Sequence, residues 1–189
     1  ATFADKGYEV PKTWDELITL SDKIAADIPA DDPTSKPWCA GIESGGATGW
    51  PATDWVEDMM LRVGTPEQYD QWVNNEIPFN DPIVIQAIDQ AGTILRNDEY
   101  VNGGLGGVTT IATTPFTDAG FPILEGGCYM HRQASFIPAF FPDGTVIGED
   151  ADFFYLPSYA DKDLGNPVLG AGTTFVCARF LLADARTDP

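Results

Sequence analysis

The chain contains 189 residues, of which 43% are hydrophobic and 12% aromatic, which is enough apolar material for a packed core. Ten Lys and Arg residues against 29 Asp and Glu residues give a formal net charge of −19. This charge disfavours binding to nucleic acids, to anionic membrane surfaces and to phosphate groups. No apolar run approaches the roughly 20 residues that span a bilayer. Because the chain begins with Ala-Thr-Phe and ends just after a strand-like run, we interpret it as a fragment, for which a missing export signal carries no information.

The three cysteines, Cys39, Cys128 and Cys177, form no Cys-x-x-Cys pair, which argues against zinc and thioredoxin-like chemistry. Cys39 and Cys128 each lie in a predicted strand, where they form either a disulfide or two buried thiols. A single histidine and the lack of an Asp-x-Asp-x-Asp-Gly loop argue against transition-metal and calcium sites. The sequence therefore predicts no metal and no cofactor.

The first long helix is predicted from its capping pattern. Thr13 serves as the N-cap, and Glu16 completes a capping box by reaching back to the Thr13 amide. Apolar residues then recur at helical spacing until Pro29 ends the helix. These residues are Leu17, Leu20, Ile24 and Ile28.

A short buried strand and two further helices follow along the chain. Residues 38–42 are apolar and bounded by turn residues, which is typical of a buried strand. Trp50 and Pro51 open a helix that Gly64 ends in the left-handed conformation. Thr65 then caps a short helix, and Gln68 closes its capping box.

The rest of the chain continues to alternate between helices and strands. The predicted elements are a helix from Asp81 to near Asn97, a helix over 115–124, a strand over 128–131, an aromatic helix near 136–141, and strands over 153–156 and 168–178. This alternation predicts an α/β fold, with a mixed, mostly parallel sheet and helices on both faces.

Ligands of open α/β sheets bind beyond the carboxyl ends of the strands, so the loop after the first strand is a candidate site. It runs from Glu43 to Trp50, and its glycines, including Gly45, allow the backbone to approach a ligand closely. Ser44 and Thr48 supply hydroxyl groups. Trp50 either stacks on a sugar ring or anchors the helix that follows. The loop lacks the pattern of a P-loop, which argues against a nucleotide site.

The loop after the second strand is the other candidate, and it gathers His131, Arg132, Gln133 and Phe136. Arg132 and Gln133 present planar hydrogen-bonding groups that suit vicinal hydroxyls. Alternatively, Arg132 pairs with one of the many acids, and His131 is a structural residue. The two loops are predicted to converge on one pocket.

Two alternatives to a neutral-solute site are open at this point. Glu43 and Asp54 are a carboxylate pair that a glycoside hydrolase would need. The acidic composition would also suit a receptor for a cationic solute such as a polyamine. No nucleophilic Ser or Cys motif and no His-Glu-x-x-His motif is present.

Six motifs occur in an order that resembles a known family. They are Pro11–Leu17, Gly41–Gly45, Trp50-Pro51, Phe79–Pro82, Tyr129–Gln133 with the aromatic residues after it, and Tyr155–Pro157. This series resembles the family 1 extracellular solute-binding proteins, which are the maltose-binding-protein-like receptors of carbohydrate ABC importers. The α-glucoside-binding branch is the most similar.

The resemblance implies a non-catalytic receptor with two α/β lobes that close on a sugar. Residues 1–152 would form the second lobe, and residues 153–189 would cross the hinge and return toward the first. The implied ligand is an α-glucoside or other oligosaccharide, delivered by a monomer to the membrane subunits of an ABC permease. The implied location is periplasmic or extracellular, with the protein either lipid-anchored or free.

The resemblance also assigns both loops to the sugar cleft, with one departure from the family pattern. Maltose-binding proteins carry Glu-Pro-Tyr in the first loop and a stacking Trp in the second. This chain has Gly45-Gly46-Ala47 and Ser135-Phe136 in the corresponding stretches. A ligand other than maltodextrin is therefore expected.

Overall fold

The computed structural model describes residues 2–162 and 164–170. Its helices and strands are, in chain order, α1 (Thr2–Asp5), α2 (Trp14–Asp27), β1 (Lys36–Cys39), α3 (Trp50–Val63), α4 (Pro66–Val73), α5 (Pro82–Leu95), α6 (Pro122–Glu125) and β2 (Cys128–His131). Short 3-10 helices cover Gly45–Ala47, Val108–Ala112 and Ile137–Phe140. The predicted α/β class is confirmed. Within the described ranges, none of the helices combines the length and apolarity needed to cross a bilayer.

The sheet consists of β1 and β2, which run parallel with Trp38 opposite Met130. Isolated bridges add Val101 beside Trp38 and Pro115 beside Glu43. Parallel neighbours need a long crossover, and here the crossover contains α3, α4 and α5. The carboxyl ends of both strands therefore lie at the same edge of the sheet.

The core forms where α3 packs on α5 and α2 packs on β1. Met59 of α3 and Ile94 of α5 are fully buried, as is Leu17 of α2. The one polar group of the Trp38 ring is satisfied, because its Nε1–H donates to Ser21 Oγ at 2.9 Å. A buried indole needs such a partner, so this bond fixes α2 against β1.

The capping predictions are confirmed with one correction. Thr13 Oγ1 accepts from the Glu16 amide at 3.2 Å, but the Glu16 carboxylate accepts from the Lys12 amide at 2.7 Å, not from that of Thr13. Its long side chain reaches back past the N-cap to an amide outside the helix. In α4, both bonds of the predicted box between Thr65 and Gln68 are present.

Two predicted boundaries are wrong, the first because of a distant residue and the second because of an adjacent one. The strand predicted over residues 38–42 lies at Lys36–Cys39, because Ala40 pairs with a side chain instead of a strand. Its amide donates to Asn102 Oδ1 at 3.1 Å and its carbonyl accepts from Asn102 Nδ2 at 2.9 Å. Gly64 is extended, with φ of −93°, and not left-handed, because Thr65 begins the next helix directly.

The predictions after residue 114 are confirmed only in part. The strand over 128–131 is present, whereas the helix predicted over 115–124 is reduced to Pro122–Glu125, since Pro115 bridges Glu43 and Pro122 lacks an amide hydrogen. The aromatic helix near 136–141 is a 3-10 helix. Residues 153–156 form no strand. Of the strand predicted over 168–178, residues 168–170 are irregular, and the rest lies outside the described residues.

A disulfide links the end of β1 to the start of β2. Cys39 and Cys128 are bonded, with their Cα atoms 5.7 Å apart and a separation of 89 positions in the sequence. Both residues are buried, with 2% of each exposed. The bond therefore closes a loop that contains the whole α3–α5 crossover.

We expect the removal of this bond to destabilise the protein. In the full-length protein, the double substitution Cys39→Ala and Cys128→Ala should lower the free energy of unfolding by about 2–4 kcal/mol, because the unfolded chain regains the freedom of a long loop. Urea denaturation with and without reductant measures this loss, and the double variant should be insensitive to reductant.

Alkylation under denaturing, non-reducing conditions provides the direct check on the bond. Peptide mapping should find Cys39 and Cys128 protected until reductant is added. Alkylation of Cys39 and Cys128 before reduction would contradict the linkage.

Candidate functional site

The two candidate loops meet at the carboxyl edge of the sheet. The Trp50 ring lies 5.9 Å from the Phe136 ring, centroid to centroid. Phe116 contacts both, at 5.1 Å from Trp50 and 6.0 Å from Phe136. The structure thus brings the Glu43–Trp50 loop together with the loop after β2, as the sequence predicts.

These rings form an aromatic cluster, defined here as Trp50, Phe116, Phe136 and Phe140. The rings pack edge to face or tilted, which suits their quadrupoles. Phe136 and Phe140 are 41% and 39% exposed, and Trp50 and Phe116 are half-buried. Exposed apolar surface of this kind, rimmed by polar backbone, is typical of ligand-binding sites.

The first loop is held by its own hydrogen bonds. Thr48 Oγ1 donates to the Gly45 carbonyl at 2.8 Å and accepts from the Ser44 amide at 3.0 Å. The Glu43 carboxylate accepts from the Gly45 amide at 2.5 Å. Gly49, with φ of +103°, turns the chain into α3. The Thr48 hydroxyl is therefore used inside the loop, whereas the Ser44 hydroxyl has no partner among the described residues.

Asp54 does not face Glu43 as a free second carboxylate. Its Oδ2 accepts from Arg132 Nη1 at 3.4 Å. Burial raises the pKa of Asp54, and the nearby Arg132 charge opposes that rise. Asp54, one acid of the glycoside-hydrolase alternative, is thus engaged in a partly buried ion pair.

His131 lies at the end of β2 in a structural role. Its Nδ1 is 2.9 Å from the Cys39 carbonyl, so the neutral imidazole carries its hydrogen on Nδ1. Its Nε2 is buried without a partner among the described residues. A Cβ added to Gly120 would lie 3.6 Å from Nε2. Burial lowers the pKa of His131, because a charged ring would be poorly solvated there.

Arg132 and Gln133 are also held by protein groups. Arg132 Nε donates to Asp58 Oδ2 at 2.8 Å, Nη2 donates to the same oxygen and to the Asp54 carbonyl, and Nη1 donates to Asp54 Oδ2. These bonds use four of its five N–H groups. Gln133 Oε1 accepts from the Ala134 amide at 2.8 Å, and its Nε2 is buried without a partner in the described part of the chain.

Sequence reasoning missed Phe116 and Phe140 as members of the cluster. Phe140 carries a local signal, because it stands four residues after Phe136 in a stretch predicted to be helical. No local sequence signal identifies Phe116, since the bridge between Glu43 and Pro115 brings it to the site. Its amide donates to the Glu43 carbonyl at 3.0 Å.

A separate apolar groove of about 280 Å³ lies on α3, α4 and α5. Its lining residues are Ala52, Thr53, Val56, Trp72, Phe79 and Ile88. Phe79 is 66% exposed in this groove. Its substitution can therefore serve as a control for the substitution of an exposed ring in the aromatic cluster.

Two curated proteins resemble the chain closely in sequence. The alpha-glucosides-binding periplasmic protein AglE of Rhizobium meliloti is 57% identical over 174 residues, which is 90% of this chain and 36% of AglE. The osmoprotective compounds-binding protein GgtB of Synechocystis sp. is 45% identical over 175 residues, which is 92% of this chain and 39% of GgtB. The chain thus spans little more than a third of these relatives. No protein-family model matches it.

A solved structure is similar in fold. The bacterial solute receptor AcbH aligns with a TM-score of 0.67 and 24% identity, over 85% of this chain and 35% of AcbH. The chain therefore has the α/β fold of part of a solute receptor, the periplasmic-binding-protein fold. The two relatives and this structure thus show what the chain is similar to, which is about a third of a solute-binding protein.

The buried His131 predicts a pH dependence of stability. Because its pKa in the folded protein lies below the ordinary value of about 6.5, the unfolded chain binds the proton more readily. Above pH 6.5, His131 therefore leaves the free energy of unfolding unchanged. As the pH falls below 6.5, His131 lowers the free energy of unfolding by up to about 1.4 kcal/mol per pH unit.

Urea denaturation at pH 7, 6 and 5 measures this slope, with His131→Gln as the matched variant. Gln keeps an N–H donor for the Cys39 carbonyl but does not titrate in this range. The difference in the free energy of unfolding between the wild-type protein and the His131→Gln variant should shrink as the pH falls. A difference that is constant from pH 7 to pH 5 would contradict the lowered pKa.

Proposed function

We propose that this chain forms part of the receptor of an ABC-type importer and that it binds an α-glucoside or other oligosaccharide. The observation that carries the proposal is the aromatic cluster, in which the Glu43–Trp50 loop meets the loop that carries Phe136. Exposed rings at this edge present an apolar surface. The apolar face of a sugar ring can pack on such a surface while its hydroxyls meet polar groups at the rim.

The rim of the cluster offers such polar groups. A Cβ added to Gly45 or Gly46 would meet no atom within 4 Å, so the backbone of the first loop borders open space. The Ser44 hydroxyl and the backbone groups of this loop can donate to and accept from a ligand. Recognition would then depend on neutral hydrogen bonds and ring contacts, which suits an uncharged polyhydroxylated solute.

The relatives support this class of ligand. AglE is named for binding alpha-glucosides, GgtB for osmoprotective compounds, and AcbH is described as having an exclusive preference for β-D-galactopyranose. AglE is named a periplasmic protein, and we propose a periplasmic or extracellular location here, with the protein either lipid-anchored or free.

In the proposed mechanism, two lobes close on the sugar and the closed receptor delivers it to the permease subunits as a monomer. Residues 1–152 belong to the second lobe, and residues 153–189 cross the hinge toward the first. Closure requires only that the ligand binds the closed state more tightly than the open one. No catalytic step is needed, so the proposed receptor is not an enzyme.

Calorimetric titration of the full-length protein tests the proposal. The panel contains α-glucosides, galactose, other oligosaccharides and osmoprotective compounds. We expect saturable binding of at least one of these solutes, and Phe136→Ala should weaken it about tenfold or more, a loss of about 1.4 kcal/mol. Phe79→Ala is the control, because it removes an exposed ring outside the cluster and should leave the affinity unchanged.

Other results of the same panel would contradict the proposal. Absence of a saturable response to every solute would exclude the receptor as described. Turnover of a chromogenic glycoside that Glu43→Gln abolishes would favour the glycoside-hydrolase alternative. Saturable binding of spermidine that weakens with added salt would favour the polyamine receptor.

A further inference from the structure

A buried charge cluster lies beside the aromatic cluster. It consists of Asp54, Asp58, Arg62 and Arg132, whose charges cancel. Arg62 is 1% exposed and Asp58 is 6% exposed, and the Arg132 side chain is 11% exposed. Side chains of this type are seldom buried unless they are paired.

Asp58 joins the two arginines, because each of its carboxylate oxygens serves a different one. Oδ1 accepts from Arg62 Nη1 at 3.2 Å. Oδ2 accepts from Arg132 Nε at 2.8 Å and also from Arg132 Nη2. A single carboxylate on α3 therefore holds two guanidinium groups that extend in different directions.

On one side, Arg62 holds the segment that follows residue 154. Its Nε donates to the Pro157 carbonyl at 3.1 Å, and its Nη2 donates to the Leu156 carbonyl at 2.6 Å. The guanidinium also lies 5.4 Å from the centroid of the Tyr155 ring. Backbone carbonyls that would otherwise be buried without donors are satisfied in this way.

On the other side, Arg132 holds the loop after β2. It bonds to both Asp54 and Asp58 of α3 and lies 5.9 Å from the centroid of the Trp55 ring. Its position fixes the start of the loop that carries Phe136, four residues further on. The same helix begins with Trp50, the partner of Phe136 in the aromatic cluster.

Stability alone is a weak reason for such a cluster. Burying four charges costs solvation, and apolar residues of similar size often stabilise a protein as well or better. The charges instead fix geometry, because each N–H of a planar guanidinium group bonds an acceptor at a defined position.

We propose that Asp58 is a positioning residue for the ligand site. Through Arg132 it sets the loop that carries Phe136, and through Arg62 it sets residues 155–157. This inference rests on the proposed function, in which that loop contacts the ligand and the segment after residue 152 leads into the hinge. Asp58 thus couples the wall of the site to the hinge segment without contacting the ligand.

The test uses the full-length protein with ¹⁵N-labelled arginine and three variants. Asp58→Asn leaves one acceptor oxygen and turns an amide donor toward the second guanidinium. Arg62→Lys keeps the charge but removes the planar fork that reaches Asp58 and two carbonyls. Asp89→Asn is the control, because it makes the same chemical change in the exposed Asp89–Arg96 pair, whose side chains are 64% and 69% exposed.

Two quantities are measured at a temperature where circular dichroism shows every variant to be folded. The first is the rate at which the Arg132 Nε–H exchanges with solvent, observed by NMR. The second is the Kd of the solute that the wild-type protein binds. A merely stabilising role would not change the Kd of the folded protein.

We expect Arg62→Lys to speed exchange of the Arg132 Nε–H at least threefold and to raise the Kd about three- to tenfold. Asp58→Asn should have larger effects on both, and Asp89→Asn should change neither. The decisive variant is Arg62→Lys, because the hydrogen bonds of Arg62 within the described part of the chain go to Asp58, Leu156 and Pro157 and not to either loop of the site.

If the wild-type protein binds a solute of the panel, two outcomes overturn the inference. Unchanged exchange of the Arg132 Nε–H in Arg62→Lys would show that the two halves of the charge cluster are independent. Faster exchange with an unchanged Kd would show that the coupling does not reach the site. If the wild-type protein binds no solute of the panel, the proposed function fails and the positioning role fails with it. The exchange rates then still decide whether Asp58 links the two segments.

Discussion

The parallel pairing of β1 with β2 is the constraint on which the rest of the molecule depends. Two parallel strands end at the same edge, so the loops that follow Cys39 and His131 must come together although these residues are 92 positions apart in the sequence. The crossover supplies α3, which begins at that edge with Trp50 and carries Asp58 on the turns that follow. One pairing thus places the aromatic cluster and the charge cluster side by side.

The polar residues at this edge meet structural demands before functional ones. His131 satisfies the Cys39 carbonyl, Arg132 neutralises two aspartates, and Thr48 closes its own loop. The sequence predicts each of these side chains as a ligand contact, because it is polar and lies in a loop at the end of a strand. The same chemistry makes it a good partner for backbone and buried carboxylates. What is left to face solvent is mostly ring surface and glycine backbone.

The elements that sequence reasoning placed correctly are those with a local cause. Thr13, Thr65 and Asp81 cap their helices through bonds to residues two or three positions away, so the signal is contained in a few letters. The convergence of the two loops also followed from a general rule about parallel sheets. Two of the failures have distant causes. Asn102 ends β1 early by pairing with Ala40, and Arg62 takes the carbonyls of Leu156 and Pro157 in a stretch predicted to be a strand. A local sequence pattern does not predict a hydrogen-bond partner that is more than sixty residues away.

The distribution of charge gives the charge cluster its significance. The chain has only ten cationic side chains against 29 acids. With so many acids, an arginine on the surface would find acidic partners without losing its hydration. Two arginines are nevertheless buried, where they lose their hydration and must be compensated by acids. Both are compensated by the same aspartate, and both also bind backbone: Arg132 the carbonyl of Asp54, and Arg62 those of Leu156 and Pro157. Because both arginines also hold main chain, the cluster acts on geometry as well as on energy, and it links the start of the loop that carries Phe136 to residues 156 and 157.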